Sequence, residues 1–101
     1  MALPLAHQTA AEFAARFWTR LSMAHAAAQA GDADAAARRD RLAWRVWKWV
    51  QDGDLTNDQV RTSFNAHFGR SLTVAQWNSY VTTRLAPMKD RYLAQLAEGD
   101  L

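Results

Sequence analysis

Apolar residues recur along this chain every three to four positions and almost nowhere alternate, so its period is helical from end to end. The densest stretch is Leu42-Ala43-Trp44-Arg45-Val46-Trp47-Lys48-Trp49-Val50, with three of the five tryptophans. On a helical wheel Leu42, Val46, Trp49 and Val50 fall together, and Ala43 and Trp47 widen the apolar arc. Arg38, Arg41, Arg45 and Lys48 lie opposite, with Arg39 and Trp44 off that line. Such a wide arc predicts a central helix on which the others pack, its tryptophans dominating the core. A buried indole removes about 150–250 Å² from water.

The punctuation predicts five helices. Residues 1–8 form a lead-in in which Pro4 keeps Leu3 and Leu5 out of a helix. Thr9 and Glu12 have capping-box spacing and open a first helix over about 10–30, with Phe13, Phe17, Leu21, Ala24 and Ala28 inward. Trp18 and His25 stand at the edge of that stripe, and Arg16, Thr19, Arg20 and Met23 lie opposite it. Gly31 closes the helix, and Asp32 or Asp34 starts a second over about 33–51, forming a long antiparallel hairpin. Gly53 stops the second helix. Leu55-Thr56-x-x-Gln59-Val60 then recurs as Leu72-Thr73-x-x-Gln76-Trp77, each a capping box with a hydrophobic staple. These open helices over about 57–68, closed by Gly69, and about 74–85. Pro87 ends or kinks the fourth helix and begins a fifth over about 87–98, with Met88, Tyr92, Leu93 and Leu96 inward. Residues 99–101 are read as a frayed tail. The expectation is an all-α, compact five-helix bundle forming one domain over 1–101.

Composition narrows the function classes. The chain has no cysteine, which removes disulfides, thiol nucleophiles and thiolate metal sites. Its net charge is +2, from ten arginines and two lysines against ten carboxylates, a balance that permits nucleic-acid binding without requiring it. Arginine over lysine and heavy alanine use fit a GC-rich bacterial genome. The first residues have neither the basic start nor the apolar run of a signal peptide, and no uncharged apolar run is long enough for a membrane span. A cytoplasmic protein with no membrane association is expected.

No catalytic constellation stands out. Most carboxylates sit at predicted helix ends, where capping accounts for them, and Asp40, mid-helix among arginines, reads as a surface ion pair. His7, His25 and His67 are too far apart for a metal motif, and a calcium loop counted from Asp52 or Asp54 has no glycine at position 6 and Ser63 or Asn65, not glutamate, at position 12. The serines have no nucleophile-elbow context, and no phosphate-binding glycine loop is present. The reading is a non-enzyme without cofactor or metal.

Two surfaces remain. The predicted fourth helix is uncharged from Ser71 to Thr83, and Gln76, Ser79, Tyr80, Thr82 and Thr83 offer a surface for a protein partner or a second copy. The alternative is DNA binding by a helix-turn-helix made from helices 57–68 and 74–85. Its contacts would come from Asn78 and from Arg45, Lys48, Arg61, Arg70 and Arg84. A non-catalytic binding module acting through protein contact or self-association is the leading expectation.

Overall fold

The computed structural model describes residues 10–98, with side chains from Arg16 onward. The lead-in, the Thr9–Glu12 capping box, Phe13, His7 and the tail lie outside the described residues or side chains. Among the described residues every regular element is helical: α1 (Ala10–Gln29), α2 (Ala33–Gln51), α3 (Asn57–Phe68), α4 (Val74–Tyr80), a π-helical turn (Val81–Leu85) and α5 (Ala86–Ala97).

The starts and stops follow local chemistry. Asp32 caps α2, its carboxylate accepting from the Ala35 N–H at 3.0 Å. Both capping boxes form: Thr56 with Gln59 opens α3, and Thr73 with Gln76 opens α4. Gly69 ends α3 in the left-handed region at φ 62°, a conformation that glycine enters without a Cβ penalty.

The helix count differs from the expectation. α4, the π turn and α5 follow one another without a break, so the described residues form four helical rods and not five. Pro87 neither ends nor separates a helix. In a regular α-helix its ring would strike the carbonyl four residues back. Here the Ala86 N–H donates to Val81 O, five residues back, and the widened turn takes up the ring. Ala86 stays helical at φ −61°, ψ −43° despite preceding proline. The hydroxyls of Thr82 and Thr83 donate to the carbonyls of Asn78 and Ser79 at 3.0 and 2.8 Å, supplying extra bonds beside the changed ladder. Contacts farther along anchor the continuous rod: Leu85 is buried, and Arg91 and Tyr92 reach back to α2.

α2 packs between α1 and α5, while α1 also packs on α3. The centre of the core is not the tryptophan stretch of α2. Trp18, expected at the edge of α1, is fully buried, as is Trp77, whereas Trp47 is 37 % exposed and Trp44 and Trp49 are half-buried. Trp18 meets Phe17, Phe64, Phe68 and Trp77 edge-on, with centroids 4.6 to 6.3 Å apart. α2 contributes Ala43 and Val46 to this cluster, α3 Val60 and Phe64, and the π turn Leu85. Trp44 instead packs on Tyr92, and Trp47 lies under the Lys89 ammonium, 5.0 Å from its centroid. In α5, Met88 packs against the core, but Leu93 and Leu96 are exposed and no residue is fully buried.

Asp40 is also not a surface group. It is 3 % exposed, accepts from Arg39 Nε at 3.2 Å, and holds Arg91 by two bonds of 3.1 Å. Arg39 in turn reaches His25 Nδ1 at 3.3 Å, so one polar chain ties α1, α2 and α5 together.

A candidate binding groove between α1, α3 and α4

The predicted partner surface lies largely along one groove. α4 begins at a defined place because Asn65 of α3 clamps the preceding loop: its amide accepts from Leu72 N–H at 3.0 Å and donates to Leu72 O at 3.2 Å. The loop end is held further by Arg61, whose guanidinium donates to the same carbonyl at 3.1 Å. With the helix start fixed, Gln76, Ser79 and Thr83 fall on the side of the rod facing α1. There they line an open groove of about 540 Å³ with Leu21, Ser22 and His25 opposite. Phe64, Phe68 and Tyr80 also line it, with ring centroids 4.8 Å apart for Phe64–Phe68 and for Phe64–Tyr80.

The charge in this groove has one sign. Arg70 and Arg84 line it, and none of its lining residues is a carboxylate. Burial pushes the Tyr80 phenol above its ordinary pKa, and the Arg84 guanidinium pulls it partly back. The phenol is therefore neutral at physiological pH. An aromatic surface flanked by guanidinium groups suits an apolar side chain with a carboxylate close by.

The structure distributes the sequence candidates unevenly. Gln76, Ser79, Tyr80 and Thr83 share the groove with Arg70 and Arg84, whereas Thr82 is exposed and does not line it. Gln76 Oε1 is occupied by the Thr73 N–H at 2.9 Å, and the Thr82 and Thr83 hydroxyl protons are committed to their own helix. Arg61 is a structural residue, bonded to Leu72 O and 3.6 Å from Asp58, with its Nε buried and unpartnered. Lys48 pairs with Asp52 at 3.0 Å. Asn78 stands beside Asn57, whose side-chain Oδ1 takes the Trp77 indole proton at 3.0 Å. Arg45 belongs to a different groove, between α1 and α2.

Periodicity did not reveal His25, Phe64 and Phe68 as groove residues. Phe64 and Phe68 look like core from their spacing, and only the packing of α1 against α3 leaves Phe68 41 % exposed. Among the described residues no cluster of three His, Asp or Glu side chains is placed to hold a metal, and no helix is long and apolar enough to cross a membrane. Comparison with family models, curated proteins and solved structures returns no match for this chain.

Proposed function

We propose that the chain is a non-catalytic helical binding module that works through protein contact, with the α1–α3–α4 groove as its docking surface. The observation that carries this reading is the aromatic lining of Phe64, Phe68 and Tyr80 beside Arg70 and Arg84, with no carboxylate along the groove. A partner segment presenting an apolar helix face with acidic residues beside it complements that arrangement. A second copy of the chain offers a segment of this kind with a single carboxylate: Leu93 and Leu96 of α5 are exposed, and Asp90, 3.0 Å from Lys89, stands one turn before Leu93. Self-association through this contact is the form to test first.

The helix-turn-helix alternative has less support. Gln76, Ser79 and Thr83 line a concavity walled by α1, whereas a recognition helix must stand proud to enter a major groove. Arg61 is tied into the loop it would have to leave, and Lys48 is paired with Asp52.

The test uses Ser79→Glu with Thr83→Glu, which places two carboxylates in the groove at exposed positions. Sedimentation velocity across a concentration series should show association of the wild type and its loss in the double variant, with equal melting temperatures. A wild type that stays monomeric, together with identical protein capture by both forms, would reject the reading.

A further inference from the structure

A second groove, on the other flank of α1, carries a different charge arrangement. Arg38, Arg41 and Arg45 of α2 form its one side and Arg20 of α1 lies across from them, around an open volume of about 560 Å³. All four are exposed, and none has an ion pair or hydrogen bond through its guanidinium to another described residue. Five other cations, Arg39, Lys48, Arg61, Lys89 and Arg91, are each paired with a carboxylate. Like charges one turn apart weaken a helix, so stability does not explain why four unpaired guanidinium groups gather here. None of the groove's lining residues is acidic.

We propose that this α1–α2 groove binds the phosphodiester backbone of duplex DNA without reading its sequence. The inference concerns a surface separate from the docking groove and does not depend on that reading. Arg38, Arg41 and Arg45 rise about 1.5 Å per residue along α2, a row of about 10 Å. That length spans about three phosphates of one strand, whose charges advance about 3.4 Å each along a duplex. Guanidinium groups bind phosphate oxygens in a two-pronged geometry that a lysine ammonium cannot match. The apolar lining is aliphatic, from Met23, Ala24, Ala27 and Leu42. It has no ring on which an unpaired base could stack, so the surface suits a duplex backbone better than a single strand.

The experiment is anisotropy of a fluorescein-labelled mixed-sequence duplex of about 20 base pairs, titrated with the full chain between 50 and 200 mM salt. Four neutralised phosphates predict a slope of log affinity against log salt of about −3.6. Arg41→Gln with Arg45→Gln should weaken binding at least tenfold at low salt and flatten the slope by about 1.8. Both positions are exposed, so a thermal melt should match the wild type. Ser79→Glu with Thr83→Glu should leave this binding unchanged, which keeps the two surfaces distinguishable. The proposal is overturned by absence of duplex binding at 50 mM salt or by a double glutamine variant that binds as the wild type does. Tighter binding of the single strand, or equal competition by polyglutamate at matched charge, overturns it as well.

Discussion

The Trp18 indole N–H donates to Ser63 Oγ at 3.0 Å, and Ser63 Oγ donates onward to Val60 O at 2.7 Å. Both residues are buried, so one of the two fully buried indoles of the core has its one polar atom satisfied by a hydroxyl from α3. This pairing, together with the edge contacts of Trp18, locks α1 onto α3.

Ser63→Ala should therefore cost more than a lost methyl-sized group would suggest. It leaves the Trp18 N–H buried without an acceptor, a penalty of about 1–3 kcal/mol. Urea unfolding followed by circular dichroism measures it. On a Trp18→Phe background, itself destabilised by the lost ring packing, Ser63→Ala should cost less than it does in the wild type, because no indole N–H is then left without an acceptor.

Arg91→Ala should loosen α5 selectively. α5 has no fully buried residue, and the two bonds from Arg91 to Asp40 join the Trp44–Tyr92 and Trp47–Lys89 contacts in holding it to α2. Half of the Arg91 side chain is in solvent, which puts the cost at the low end for charged hydrogen bonds, about 1–2 kcal/mol. Hydrogen exchange should show faster opening of amides across Ala86–Ala97 and little change in α1 and α3.

Pro87→Ala should be nearly neutral, within about 1 kcal/mol. A proline within a regular helix costs about 3 kcal/mol, but the π turn has already removed the clash. Alanine gains a donor and gives up the restriction that proline places on the unfolded chain, two effects of similar size and opposite sign. A melting temperature raised by ten degrees or more would show that the turn is strained by the ring.

Tyr80→Phe should flatten the alkaline limb of the stability curve. Burial raises the Tyr80 pKa in the folded chain, so the folded state keeps the phenolic proton to higher pH than the unfolded state does. The stability this contributes is complete below the unfolded value of about 10 and is lost as pH rises through the folded value. Chemical denaturation between pH 9 and 11.5 should show a steeper decline for wild type than for the variant. Parallel declines would mean that Tyr80 titrates as it does in the unfolded chain.

Much of the fold was legible because it is written in short-range chemistry. Asp32, the paired Thr–Gln boxes at 56/59 and 73/76, and Gly31, Gly53 and Gly69 act over three or four residues. Their partners are therefore fixed before any tertiary contact forms. The helical period gave the class and the inward positions Phe17, Leu21, Val46, Val60, Phe64 and Trp77 for the same reason.

Tertiary structure alone decided the rest. Local preference separates two helices at Pro87, but contacts of Leu85, Arg91 and Tyr92 with distant parts of the chain favour one continuous rod with a widened turn. A wheel puts Trp18 at the edge of its stripe and Trp47 on the widened apolar arc of α2, yet depth depends on how many helices cover a face. α3 and α4 cover Trp18, whereas Trp47 stays 37 % exposed with the Lys89 ammonium over its ring. The period likewise places Asp40 among arginines, but Arg91 lies 51 residues away, and no local pattern encodes that pairing. The candidate surfaces divide in the same way. The basic line of α2 was visible on a wheel. Its meeting with Arg20, and the gathering of Phe68, Arg70 and Arg84 along one groove, depended on helix packing between segments far apart in the chain.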